Sequence, residues 1–309
     1  MNKVCILGSL NMDLVVKVKE MPTVGQTIIG ESFTKVPGGK GANQAVASKR
    51  TGSQVYMIGK VGIDENGNEL IKELEKDNII TDFIFKDDSN PTGTAIINVN
   101  NHGDNSIVVI PGANMEMREE ELDNAKEAIK ASDILIAQFE TSLSITIKAF
   151  KFAKENGVIT ILNPAPAKSI PEELLKYTDI IVPNETEAFD ITKVKVKELN
   201  SAVSAAEIFL KQGTKYVIIT MGDKGAAVIS RSRGELIPAY KVSAVDTTAA
   251  GDSFIGALAS KLNAAELNYE TLKKAVIFGN MVSSITVQRR GAQPSIPTME
   301  EVLEVYKEA

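Results

Sequence analysis

The chain has 309 residues, 43% of them hydrophobic, with a formal net charge of −6. That is enough to bury a large core, and it is the wrong sign for a nucleic-acid binder, which needs a basic face. One cysteine and one histidine rule out an intrachain disulfide and the common zinc sites. His102, in the polar turn at 100–105, reads as a solvated hairpin tip rather than a triad member. Without a signal-peptide h-region or an apolar run near ~20 residues, the expectation is a cytoplasmic protein that does not enter membranes.

In chain order, residues 3–8 form a first apolar run, in which Cys5 reads as a small core residue. Further short buried strands are expected at 54–59, 134–138, 158–162, 180–182 and 216–220. Helix-period segments at 66–78, 118–131, 142–156 and 201–212 lie between them. Such alternation predicts βαβ units with right-handed crossovers. Residues 14–36 and 92–111 break the pattern with β-type runs and Gly/Asn turns. After Asp252 the chain reads as helical at 254–262, 269–287 and 298–307, with a loop at 289–294.

The fold class expected is α/β: a three-layer α/β/α domain with a mostly parallel central sheet and a small inserted β-sheet. The α/β part takes 1–13, 37–91 and 112–309, and the small sheet takes 14–36 and 92–111. Ligands of parallel sheets bind beyond the strand C-termini. That rule gathers Asn11, Asp13, Glu140, Asn163, Asn184 and Thr220 on one rim. A small sheet also needs its apolar face covered, which gives a dimer contact a physical motive.

Two segments carry chemistry. Val245-Asp246-Thr247-Thr248-Ala249-Ala250-Gly251-Asp252-Ser253-Phe254 follows an apolar run and opens a helix. Small residues at a helix start leave N–H groups uncovered, and the helix dipole makes an anion site there. A carboxylate at its edge is tolerable if Asp252 takes a proton from a hydroxyl attacking a bound phosphate, which points to phosphoryl transfer to an alcohol. Read alone, the segment fits a capped helix with Asp in its first turn equally well. The second segment, Pro37-Gly38-Gly39-Lys40-Gly41-Ala42-Asn43-Gln44-Ala45, also leads into a helix and lacks Walker A spacing. Its glycines let backbone approach a ligand, and Lys40 and Asn43 offer donors to hydroxyls. Alone, it too fits a tight turn.

Together these segments resemble the paired signatures of the ribokinase family, the phosphofructokinase-B type of carbohydrate kinases. Elements at 8–13, 163–167, 183–188, 220–225 and 290–295 resemble the family's others, in order along the whole chain. The forms at 38–45, 163–167 and 291–295 resemble the branch that uses ATP to phosphorylate D-ribose at its 5-hydroxyl. The resemblance implies Asp252 as general base and the N–H groups of Ala249, Ala250 and Gly251 as anion hole. Family members often carry Gly at the position of Ala249. Alanine there is a minor departure provided its φ is negative. Sugar contacts implied are Asn11, Asp13, Gly39, Lys40, Asn43, Glu140 and Asp252.

The nucleotide residues implied are Asn184, Glu187, Thr220, Gly222, Gly225, Gly251 and Asn280. Asn184 and Glu187 would shape the Mg2+ and phosphate region, and their spacing is also that of a capping box. A monovalent-cation site, with K+ expected, would use Asp246, Thr248, Thr286, Arg289, Gly291 and Ser295, several through carbonyls. The small sheet would be a lid over the sugar and a homodimer clasp. A kinase of 2-deoxyribose, another sugar or a nucleoside is the alternative. A sugar-binding regulator without activity is disfavoured by the intact Asp252 loop. A dinucleotide enzyme is disfavoured because no G-x-G-x-x-G follows the first strand.

Overall fold

The computed structural model describes residues 1–102 and 104–307. Gly103, in the expected hairpin tip, and Glu308 and Ala309, at the end of the expected α/β part, lie outside the described residues. The strands in chain order are β1 (Lys3–Leu7), β2 (Asn11–Lys17), β3 (Ser32–Gly38), β4 (Gln54–Gly62), β5 (Ile80–Asp87), β6 (Gly93–Val99) and β7 (Asn105–Ile110). They continue with β8 (Ile134–Ala137), β9 (Ile159–Leu162), β10 (Ile180–Ile181), β11 (Tyr216–Thr220), β12 (Ala226–Ile229) and β13 (Gly234–Ile237). The helices are α1 (Lys40–Arg50), α2 (Glu65–Lys76), α3 (Glu119–Lys130), α4 (Leu143–Glu155), α5 (Glu172–Lys176), α6 (Glu185–Thr192), α7 (Leu199–Lys211), α8 (Ala250–Lys261), α9 (Tyr269–Thr286) and α10 (Met299–Val305).

Nine strands form the main sheet, in the order β13-β12-β11-β10-β9-β8-β1-β4-β5. Every pairing from β11 to β5 is parallel, and β12 and β13 add an antiparallel edge. Strand alternation sends neighbouring side chains to opposite faces. Val4 and Ile6 of β1 pack with Val46, Leu70, Phe254, Leu258 and Leu272 from the helices on one face. Cys5 and Leu7 pack with Leu122, Ile129, Phe150 and Phe209 on the other. Cys5 is fully buried, and burial pushes its thiol up. The three-layer expectation is therefore met. Three strands of this sheet were not legible in the sequence: β5, β12 and β13.

The second sheet has four strands, in the order β3-β2-β6-β7. It reaches beyond 14–36, to Asn11 at one end and Gly38 at the other. Asn11 and Asp13 are thus inside β2, not on the free end of a main-sheet strand. Its edge strand β7 exposes Ile107, Val108, Val109 and Ile110. Two devices brace the segments that connect this sheet to the main one. Asp64 caps α2 by accepting from the Gly67 N–H at 2.8 Å, and it also accepts from the Thr92 N–H and hydroxyl, at 2.8 and 2.6 Å. Lys60 of β4, 3% exposed, meets Asp87 at 2.9 Å and Glu121 at 3.0 Å and donates to the Glu116 carbonyl at 2.9 Å. The Lys60 ammonium, helped by N–H groups of Asn90 and Ser89, holds the Asp87 carboxyl well below the usual range.

Candidate active site

The chain enters α8 through a turn that one carboxylate ties down. Asp246 Oδ1 accepts from the Thr248 N–H at 2.9 Å and the Thr248 hydroxyl at 2.7 Å. Its Oδ2 accepts from the Gly291 N–H at 2.9 Å, and so joins this turn to the loop at 289–294. Burial opposes ionisation of Asp246, but these donors and the Arg290 charge outweigh it and hold the carboxyl below its ordinary value.

Ala249 precedes the helix at φ 58°, ψ 9°. The condition under which alanine is a minor departure, a negative φ, is not met. The turn needs a left-handed residue, and alanine adopts it at a cost of about 1–2 kcal/mol. Within the expected anion hole, the Ala250 N–H donates to the Thr247 carbonyl at 3.2 Å. The N–H groups of Ala249 and Gly251 have no acceptor among the described residues.

Asp252, 8% exposed, lies in the first turn of α8. Its Oδ2 accepts from Asn43 Nδ2 at 2.9 Å and its Oδ1 from Gln44 Nε2 at 3.0 Å. Both amides come from the first five residues of α1, which starts after Gly39 at φ 90°. Close packing of α1 on α8 brings them there. A Cβ on Gly256 would stand 2.5 Å from that of Ala47, so the approach requires glycine.

Of the expected sugar residues, Asp13, Lys40 and Asn43 lie close to Asp252, and Glu140 lies close to Asp13 and Lys40. Glu140 Oε2 accepts from the Ser9 hydroxyl at 2.5 Å and the Lys40 N–H at 3.3 Å. Asn11 Oδ1 accepts from Asn114 Nδ2 at 2.8 Å. Asn43 Oδ1 is buried with no partner among the described residues, an acceptor open to a hydroxyl. Burial, then the charges of Glu140 and Asp252, raise the Asp13 carboxyl to about 7, against the pull of Lys40. For Lys40, burial favours the neutral amine, but Asp252, Glu140, Glu187 and Asp13 outweigh it and hold the ammonium above its usual value.

An open cleft of about 190 Å3 runs from Lys40 and Asp252 past Ala249–Gly251 to Asn184, Glu187 and Thr220. Asn184 caps α6: its Oδ1 accepts from the Glu187 N–H and its N–H donates to Glu187 Oε2, both at 2.8 Å. The capping box exists, and both residues also face the cleft. Burial raises the Glu187 carboxyl, against the Asn184 N–H and Lys40. Gly222, Gly225 and Asn280 do not line this cleft. Asn280 Nδ2 donates to the Pro238 carbonyl at 3.1 Å, and a Cβ on Gly225 would strike the Ile237 carbonyl, so these two form a separate group around 237–238.

The model of the pfkB family carbohydrate kinases matches residues 1–299. The chain belongs to that family. A ribokinase from Staphylococcus aureus is 46% identical over 98% of this chain and 99% of its own. A deoxyribokinase from Salmonella typhi is 36% identical over 96% of each. Among solved structures, a ribokinase from Arabidopsis thaliana complexed with ribose and ATP is 30% identical, with a TM-score of 0.89 over 98% of each chain.

As a member of the pfkB family, the chain is a carbohydrate kinase, and its metal expectations can be tested against its own residues. The described residues hold no cluster of three His, Cys, Asp or Glu fit for a metal. Mg2+ carried on nucleotide phosphates needs only one or two protein carboxylates near it, and Glu187 lines the cleft. Around Asp246, the Thr286 hydroxyl donates to Val282, the Ser295 hydroxyl donates to Ala292, and the Arg289 guanidinium pairs with Glu301. Of the expected set, Asp246 and backbone carbonyls are what remains for a cation, an all-oxygen donor set that suits a hard monovalent ion. The sequence reading assigned no role to Gln44 or Asn114. Gln44 sits in a signature segment, but an amide in a helix reads as surface. Asn114 is brought to Leu10 and Asn11 only by tertiary folding.

Proposed function

We propose that this carbohydrate kinase transfers the γ-phosphoryl group of ATP to the 5-hydroxyl of D-ribose, giving D-ribose 5-phosphate and ADP. The observation that carries the reading is Asp252, its two oxygens held by Asn43 and Gln44, at the head of a cleft floored by the Ala249–Gly251 turn. The ribose and ATP named for the Arabidopsis relative, and the 46% identity to a ribokinase over nearly the full length, support it.

In this reading Asp252 accepts the proton of the 5-hydroxyl as that oxygen attacks the γ-phosphorus. The P–O bond to ADP breaks on the opposite side. The free N–H groups of Ala249 and Gly251, with the N-terminal dipole of α8, take up the charge developing on the phosphoryl oxygens. Lys40 stays an ammonium and balances the carboxylates around it. Asn11, Asp13, Gly39, Lys40, Asn43 and Glu140 read the sugar hydroxyls. A polyol suits this mix of donors and acceptors. Thr220, Asn184 and Glu187 flank the phosphates, and Gly222, Gly225 and Asn280 serve the base side. Mg2+ bound with ATP would neutralise phosphate charge beside Glu187.

K+ beside Asp246 would hold the turn at 246–252 in its donating shape by binding the ordered loop. The small sheet at 14–36 and 92–111 serves as lid, and the apolar β7 favours a homodimer through it. The cytoplasm, where ATP is available, is the expected compartment. Steady-state ADP formation with ribose, 2-deoxyribose, fructose and adenosine tests the substrate. Ribose is expected to have the highest kcat/KM, and a clear preference for deoxyribose or a nucleoside would overturn the reading. Sedimentation of the wild type and Val108→Lys tests the clasp, with a dimer expected for the first and a monomer for the second.

A further inference from the structure

A buried chain of amides runs behind Asp252. It begins at the Val182 carbonyl, which accepts from Asn163 Nδ2 at 3.1 Å. A carbonyl can only accept, so Asn163 must turn its Oδ1 the other way. That oxygen accepts from Gln44 Nε2 at 3.2 Å, and the same Nε2 donates to Asp252 Oδ1 at 3.0 Å. Gln44 Oε1 in turn accepts from Gln138 Nε2 at 2.7 Å. Gln44 and Gln138 are fully buried and Asn163 nearly so. Each amide has a forced orientation, because reversing any one would set donor against donor or acceptor against acceptor. One backbone carbonyl at the end of β10, beside the nucleotide side of the cleft, therefore sets the polarity of the whole chain.

We propose that Gln44 is a positioning residue for the reaction: pinned by Asn163 and Gln138, it keeps a donor on Oδ1 and fixes the orientation of Asp252 toward the acceptor hydroxyl. The proposal rests on reading Asp252 as the base. Lys40 from α1, Asp13 from β2, Glu140 after β8 and Glu187 from α6 supply the charges around that carboxylate. All four persist in a Gln44 variant, so a change in pH dependence isolates the lost donor.

The test is the pH profile of kcat for Gln44→Met and Gln138→Met. Losing a donor to a carboxylate favours its protonated form. The acidic limb of Gln44→Met is expected to move up by about one pH unit, while KM for ATP stays within about twofold. Gln138→Met breaks only the outer bond, and its limb should move the same way by less. It also supplies the measurement if Gln44→Met fails to fold. A limb that stays in place in each variant that folds, whether or not the plateau falls, would overturn the role of Gln44. If Asp252→Asn keeps wild-type turnover, the failure lies instead with Asp252 as base.

Discussion

Two aspartates face the same site from different parts of the molecule, and they are treated in opposite ways. Asp252, on the α/β side, has an amide on each oxygen. Asp13, on the small sheet, receives no donor from the described residues and faces the like charges of Glu140 and Asp252. The main sheet, packed on both faces, can fix side chains through α1 and α8. The small sheet, with an exposed apolar edge, leaves its carboxylate unsatisfied. One region has its chemistry set in advance, and the other holds a group that hydroxyls of a ligand would complete.

That contrast can be broken most sharply at Asp252. Replacing it with Asn removes the base while keeping the side chain's shape, so kcat is expected to fall about 10²–10⁴-fold. A fall of less than tenfold would put both aspartates in the same class. Next in size is Lys60→Met, which strips the shared cation from partly buried Asp87 and buried Glu121, beside the connections to the small sheet. Removing one partner of a buried ion cluster costs about 3–5 kcal/mol, to be read from denaturant unfolding. A loss under 1 kcal/mol would mean these connections are not held electrostatically.

Asp13 sharpens the comparison through pH. Its folded value, about 7, lies above that of an unfolded aspartate, about 4. A group raised in this way contributes stability fully below the unfolded value and loses it as pH climbs through the folded one. The melting temperature of sugar-free Asp13→Asn should therefore gain on the wild type between about pH 4 and 7. A difference independent of pH would show that Asp13 is satisfied after all. The smallest effect is expected at Ala249. Ala249→Gly relieves the left-handed strain and should stabilise by about 1 kcal/mol, seen as a small rise in melting temperature. A loss of stability there would count against the strained turn.

What the sequence revealed follows from how local each signal is. The glycine segment at 38–41, the small-residue turn and Asp252 are contiguous, so their chemistry could be read directly. β1, β8 and β9 are unbroken apolar runs because both faces are buried. β12 and β13 have four residues each, too few for a period to emerge. β3 carries Pro37 and is mostly exposed, which suits the edge strand it is but hides it as a strand. The sign of φ at Ala249 is set by the closure of the turn, not by its residues. Partners such as Gln44–Asp252 are separated by most of the chain, and no spacing rule could join them.

Cys5 lies at the centre of β1, walled off by helices above and below. The chain has no tryptophan, so intrinsic fluorescence is a poor monitor of its folding, but this single thiol is a built-in one. A disulfide-exchange reagent can reach it only when the middle of the sheet parts. The labelling half-time in native buffer thus reports how often the whole interior opens, with no engineered probe.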